Sequence, residues 1–392
     1  MYQTKSAEAV PVGPLPDHFD LGGEQCGIRW VSSAVGTSYW LISDYKLARK
    51  VLADKRFGRS EAAGNKAPKI STYNASQEAI ISLDGAEHAR IRQLIAPAFT
   101  ERRIAEQGPF VTRLVEELLD GLADQQRPAD FISHVAASLP FEMMCHLLGV
   151  PSDDRPIFSS WVNVLFRLVG DIDDSRQHSV SLARYMVKLV ADKSRNPGSD
   201  LISTLLHSTE EEGRLTNREL VTLCLSLLMA GYDSTVDQIT LSLLTVLLDQ
   251  PLMRTLISNP ELIAPAVEEF LRLNPAPYMS FPRMALETVT LGDTVIEQGQ
   301  LVAIFIMASN RDPSVFALPE EVGLEGSVPA HLTFGHGLHR CVGAPLARLQ
   351  LTTLLTGLLR RFPNMQLAED VSDLDWKQGM ATRGITHMYV TW

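Results

Sequence analysis

Four cysteines in 392 residues, Cys26, Cys145, Cys224 and Cys341, are too few and too scattered for a disulfide framework, and that sparse use suits a reducing compartment. Basic character is also short: 35 Lys and Arg face 46 Asp and Glu, a formal charge of −11. A nucleic-acid binder needs a positive footprint, so nucleic acid is not an expected partner. The first thirty residues hold no apolar run long enough for a signal peptide or a membrane anchor, which makes the cytoplasm the expected location. There is no internal repeat, no low-complexity tract and no Gly/Ser/Pro-rich linker. One domain over residues 1–392 is therefore expected, with about 1–14 a flexible extension, and the 45% hydrophobic content is ample for its core.

What the chain has in quantity is helical periodicity. Apolar positions recur at helical spacing over 104–126 and 136–149, whereas β-rich stretches are short: GIRWVSS, SYWLIS, ETVTLGDTVIEQGQLVAIFI and the terminal THMYVTW. The expected fold class is mainly α with small β-sheets. Residues 60–80 are polar and small, in the manner of a loop over a site. The longest predicted helix, 217–250, opens on a capping box, Thr216 with Glu219, and stops at Pro251. Its middle is broken by Ala230, Gly231, Asp233, Ser234, Thr235 and Asp237. Those residues suit either a solvated stripe or a place where something bulky lies against the helix and protons are delivered.

Two further pairs say little alone. Glu269 and Arg272 are three apart in EEFLR and can pair across one helical face. His88 and Arg92, four apart in EHARIR, could jointly hold an anion or simply face water.

The most informative stretch is FGHGLHRCVGAPLAR, 334–348. His336, His339 and Cys341 are metal-ligand types, but zinc needs three or four protein ligands, usually in clustered pairs, and no C-x-x-C partner exists. No nucleophile-elbow or protease signature surrounds Cys341 either. A single thiolate can, however, be the one protein bond to an iron held by four porphyrin nitrogens. The glycines let the backbone approach a flat macrocycle, and the amides of Val342 and Gly343 can point at the sulfur. A helix starting near Ala344 and Pro345 would put its positive end toward the thiolate.

This stretch resembles the cysteine-ligand loop of the cytochromes P-450, F-x-x-G-x-(H/R)-x-C-x-G, with Phe334, Gly337, His339, Cys341 and Gly343 in every fixed position. EFLR resembles the family's E-x-x-R, a structural ion pair of Glu269 and Arg272. AGYDST resembles A-G-x-(D/E)-T, which implies that Asp233 and Ser234 are the acid and alcohol of oxygen activation. EHARIR resembles the H-x-x-x-R segment that binds haem propionates, so His88 and Arg92 are implied there with Arg283 and His339. Ala230, Phe334, Gly335 and Gly343 are implied to lie against the cofactor. The resemblance spans about 15–392 and implies a triangular helix-rich fold with haem b between the long helix and the cysteine-loop helix.

The same resemblance implies a soluble bacterial monooxygenase that uses O2 and NAD(P)H-derived electrons from a separate ferredoxin and ferredoxin reductase, working as a monomer. Its substrate would be a mid-sized hydrophobic natural product of secondary metabolism. The implied pocket residues are Leu227, Leu228 and Tyr232, then Met279, Ser280 and Phe281, and Met380, Ala381 and Thr382, with the loop at 60–82. Arg90, Arg102, Arg103, Arg340 and Arg348 could receive an acidic donor. The alternatives are oxidative coupling or desaturation on the same haem, and a non-enzymatic haem sensor.

Two departures stand out. Ser234 occupies the family's usual threonine position and is followed by Thr235, so the alcohol could be either. Gly326 stands where the family commonly supplies an arginine to complete a triad with Glu269 and Arg272, which leaves open what satisfies Glu269.

Overall fold

In the computed structural model the described residues are 27–70, 76–165, 172–207, 214–324, 326, 329–377 and 382–392, with side chains at 163–165 and 172–176 also outside the description. The expected N-terminal extension, part of the 60–82 loop, and Met380 and Ala381 lie outside these residues.

Helices dominate, as the periodicity predicts, and the longest runs Asn217–Leu248. Its start is the expected capping box: the Glu219 amide donates to the Thr216 hydroxyl at 3.2 Å, and the Thr216 amide donates to Glu219 Oε2 at 2.7 Å. Pro251 does not follow the last turn directly. Asp249 ends the helix and caps the next one, Gln250–Ser258, whose first turn accommodates the proline because its N–H is not needed there.

From Thr235 to Leu247 every residue of this central helix is buried. The hydroxyls of Thr240, Ser242 and Thr245 within that run donate to carbonyls one turn back at 2.7–2.9 Å, so no bare polar group enters the core. By length and composition this helix could cross a bilayer, but half of its apolar window is buried inside the fold. Gln238 ties it to the chain after helix Ile263–Leu273: the Ala276 amide donates to Gln238 Oε1 at 2.9 Å, and Gln238 Nε2 donates to the Asn274 carbonyl at 3.1 Å.

The 104–126 periodicity resolves into two helices, Glu101–Ala105 and Gly108–Ala123, broken at Gly108-Pro109, where proline starts the second. The second packs on the helix after the cysteine loop, Ala344–Arg361. The run predicted at 136–149 is the helix Ser138–Leu148, preceded by a π turn at Ile132–Ala136 and ended by Gly149 at φ 71°.

The β-rich stretches form small sheets. A five-stranded sheet has the order Ile28–Ser32, Ser38–Ile42, Leu301–Ile304, Arg283–Ala285, Phe57–Gly58. Ser38–Ile42 pairs parallel with Leu301–Ile304, placing Trp40 opposite Val302, and the other pairings are antiparallel. ETVTLGDTVIEQ makes the hairpin Val289–Leu291 with Thr294–Ile296, and Tyr389–Thr391 pairs with the short strands Ala129–Asp130 and Gln366–Leu367. The sheet carries Arg283 from one side of the molecule, while the central helix and the cysteine-loop helix contact each other within the largest core cluster.

Candidate active site

The cysteine loop is folded by its own backbone. Cys341 N–H donates to the Phe334 carbonyl at 2.8 Å, and Gly335 and Gly337 turn the chain at φ 69° and 73°. A side chain at Gly337 would place Cβ 2.5 Å from the Leu52 carbonyl oxygen, so only glycine fits between the loop and the first helix, Tyr45–Ala53. The amides that reach Sγ belong to Gly343 and Ala344, one residue later than the sequence suggests, because the helix begins at Ala344 with Gly343 as its N-cap. Cys341 is exposed along one side, yet enough protein surrounds it that burial pushes its thiol above the ordinary range. Those two amides and the guanidiniums of Arg92 and Arg340 pull the other way.

Residues implied for propionate binding converge from three segments. The His88 and His339 rings lie 4.3 Å apart, and His339 Nε2 meets Asp84 Oδ1 at 3.1 Å. Asp84 also accepts the backbone amides of Arg59 and Ser60 at 2.5 and 2.7 Å. Arg92 donates to the Arg340 carbonyl at 2.7 Å, which ties it to the cysteine loop. Arg283 donates to the Phe57 carbonyl at 3.1 Å. Arg59 and Asp84 were not singled out by the sequence; an arginine 3% exposed was the missing signal, and only the fold reveals it.

Burial pushes His88 down to about 4 and Arg59 down to about 10, while neighbouring Arg283 and His339 add repulsion. Burial alone would raise Asp84, but its hydrogen bonds from His339, Ser60 and Arg59 hold it down at about 2. Two buried polar atoms of this cluster, Arg283 Nε and His339 Nδ1, have no hydrogen-bond partner. A buried cationic cluster with an orphaned guanidinium donor, a partnerless ring nitrogen that donates when the imidazole is protonated, and a single carboxylate fits a dianionic group such as the two propionates of haem. Among the described residues no group of three or more His, Cys, Asp or Glu could hold a metal by itself.

On the central helix, Ala230 is exposed and Ser234, one turn on, is partly exposed, so they share one face. Ser234 donates its hydroxyl to the Ala230 carbonyl at 2.8 Å. Thr235 points elsewhere and is buried. Gly231, which the sequence sets beside a bulky group, instead meets Met144: a Cβ there would lie 2.8 Å from its sulfur, so the glycine serves the contact with helix Ser138–Leu148.

Asp233 is buried, and its carboxylate takes Lys377 Nζ at 2.9 Å and the Thr382 hydroxyl at 3.2 Å. Asp237, one turn on, takes the same two groups at 2.7 Å each.

Glu269 and Arg272 form a bidentate pair at 2.6 and 2.7 Å, both nearly fully buried. Arg272 also donates to the carbonyls of Asn310, Leu318, Pro319 and Glu321, and the Gly323 amide donates to Glu269 Oε2 at 2.8 Å. A backbone amide thus takes up the lone pair that the absent arginine at Gly326 would otherwise fill.

Of the implied pocket residues, Leu227, Leu228 and Tyr232 lie in the main apolar core, with Tyr232 edge-on to Phe141. Met279 and Ser280 are partly exposed beside the five-stranded sheet, and Phe281 is exposed under the Arg59 guanidinium at 5.2 Å. Among the surface arginines, Arg90 pairs with Glu219, Arg103 with Glu106 and Arg348 with Glu268.

A fold of this kind, with one cysteine loop under a long helix and a cationic cluster at its edge, defines a haem-thiolate protein. The chain belongs to the cytochrome P450 family, whose model matches residues 144–383. It is 36% identical over 381 residues to nocardicin C N-oxygenase of Nocardia uniformis subsp. tsuyamanensis, covering 96% of this chain and 95% of that protein. It is 35% identical over 359 residues to mycinamicin IV hydroxylase/epoxidase of Micromonospora griseorubida, covering 91% and 90%. Among solved structures, the mixed-function P450 MycG superposes with a TM-score of 0.88 at 34% identity over 93% of each chain. A cytochrome P450 with biaryl coupling reactivity superposes with 0.87 at 31% over 98% of each. The protein is accordingly a monooxygenase-type oxidoreductase of the bacterial secondary-metabolite P450s.

Proposed function

We propose that this enzyme hydroxylates or epoxidises a mid-sized hydrophobic natural product, with haem b held by Cys341 and its propionates by His88, Arg92, Arg283 and His339. The observation that carries this reading is the orphaned buried donor Arg283 Nε beside the cysteine loop, with His339 Nδ1, a donor when its ring is protonated, also without a partner. Bound haem supplies the activation of O2, and thiolate ligation favours O–O cleavage. The protein's own part is to deliver protons and place the substrate. Asp233 is the proton donor, and Ser234 presents the hydroxyl that faces the oxygen site beside Ala230. Thr235, being buried, supports that turn. Glu269 and Arg272 are structural.

The similarity to a nocardicin N-oxygenase and to a mycinamicin hydroxylase/epoxidase supports a natural-product substrate. Met279, Ser280, Phe281, Met380, Ala381 and Thr382 are the proposed contacts, with Leu227, Leu228 and Tyr232 shaping the wall from behind. Electrons come from a ferredoxin and its reductase in the cytoplasm. A groove of about 810 Å3 beside the cysteine loop, lined by Arg49 and Arg340, supports docking of an acidic donor.

Likeness to a biaryl-coupling P450 favours a second reading, oxidative coupling without oxygen insertion. The test is a screen of candidate natural products for displacement of the Soret band, followed by mass analysis of turnover with a reconstituted donor pair. A product heavier by one oxygen atom supports monooxygenation; loss of two hydrogens supports coupling or desaturation.

A further inference from the structure

Asp233, Lys377, Asp237 and Thr382 close a ring. Lys377 Nζ bridges Oδ1 of both aspartates, at 2.9 and 2.7 Å, and the Thr382 hydroxyl bridges their Oδ2 atoms, at 3.2 and 2.7 Å. The two acids are four residues apart on one face of the central helix, while Lys377 and Thr382 come from the C-terminal segment. The ring is built in: Gly384 carries no side chain, and a Cβ there would lie 2.0 Å from Asp237 Oδ1. Any residue but glycine at 384 would push the segment off the helix.

The hydroxyl geometry fixes the proton count. Thr382 has one proton to donate, so it satisfies only one carboxylate; the second contact is a hydrogen bond only when the other carboxyl is protonated and donates to Thr382 Oγ. One proton shared by the pair satisfies both contacts. We propose that Asp237 is a positioning residue for proton supply, holding the shared proton that passes through Thr382 to Asp233 for delivery to the oxygen site. This rests on the monooxygenase reading above.

The transfer balances within the ring. With the shared proton on Asp237 and Asp233 a carboxylate, Thr382 donates its own proton to Asp233 Oδ2 while Thr382 Oγ accepts the proton of Asp237. One proton moves from Asp237 to Asp233, Asp233 delivers it to the oxygen site and returns to a carboxylate, and Asp237 regains one from water at the partly exposed Thr382 edge. The groups that set the charge of Asp237 are Asp233 and Tyr232 on its own helix and Lys377 and Arg383 on the C-terminal segment. Burial and the Asp233 charge push Asp237 up to about 7, against the pull of Lys377 and Thr382, which agrees with a shared proton near neutrality.

The test uses the haem-loaded protein and two variants, Asp237→Asn and the near-isosteric Thr382→Val, with Thr382→Ser as the rescue. In the infrared, the wild type should show a buried carboxylic acid that deprotonates near pH 7, and Asp237→Asn should lack it. Product per NAD(P)H consumed should fall about tenfold in Thr382→Val and recover in Thr382→Ser, the scale expected for part of an acid-base pathway. The idea is overturned if the wild type shows no such acid, if the band persists in Asp237→Asn, or if Thr382→Val stays fully coupled. The ferrous-CO spectrum of each preparation separates the two levels: a wild type without the thiolate signature fails the haem-thiolate reading, whereas a normal signature with an unchanged infrared titration fails only the relay.

Discussion

Ser234 donates its hydroxyl to the carbonyl of Ala230 at 2.8 Å, one turn back on the face of the central helix that is not packed into the core. Thr235 is rotated about 100° away and buried, which is why we assign the alcohol of the oxygen site to the serine. Ser234→Ala should divert electrons into hydrogen peroxide, and Ser234→Thr should preserve or improve coupling because its γ-methyl restricts χ1. Thr235→Ala should leave coupling near wild type. Peroxide and product formed per NAD(P)H separate these outcomes, and a coupling loss confined to Thr235→Ala would move the assignment.

Arg283 has the orphaned Nε, and its other contact is the Phe57 carbonyl. A charge-assisted hydrogen bond contributes about 1.5–3 kcal/mol, so Arg283→Leu should weaken haem retention by roughly 10- to 100-fold. The rate of haem transfer to an excess of a haem-scavenging apoprotein measures it.

Glu269 and Arg272 should act through the fold. Glu269→Ala leaves a buried guanidinium without its carboxylate and should destabilise by about 3–5 kcal/mol, seen in urea unfolding and in a low yield of haem-loaded protein. Full stability with selectively lost turnover would make the pair catalytic.

Glu268, beside them, faces outward and is held by Arg348 at 2.6 and 2.8 Å and by His331 at 3.3 Å. Burial alone would raise it, but these partners lower it from 4.5 to about 2. A carboxyl depressed in the folded state contributes stability that is present above its unfolded value and is lost as pH falls toward the folded one. The melting temperature should therefore fall more steeply between pH 4.5 and 2 in the wild type than in Glu268→Gln.

Much of this was legible in the sequence, for reasons that particular residues make plain. The cysteine loop is a continuous motif whose glycines and cysteine act on one another locally, so its geometry was readable to within one residue; the amides at Sγ shifted from Val342 and Gly343 to Gly343 and Ala344 because the helix start fixes them. The capping box at Thr216 was legible because it spans four residues. The contact of Gly231 with Met144 left no mark because Met144 lies far away in the chain. Lys377 and Gly384 gave no signal for the same reason, although the four-residue spacing of Asp233 and Asp237 already placed both acids on one face. The substitute for the arginine at Gly326 is a backbone amide, and backbone donors leave no mark in a sequence.

The account turns on Cys341 as the thiolate ligand of haem. The most direct measurement is the absorption spectrum of freshly purified, folded protein, reduced and exposed to CO, beside that of Cys341→His. The wild type should show the strongly red-shifted Soret band that a thiolate ligand produces, and Cys341→His should lose it while retaining haem. A wild-type Soret band at the position of an imidazole- or thiol-ligated CO complex would contradict the assignment.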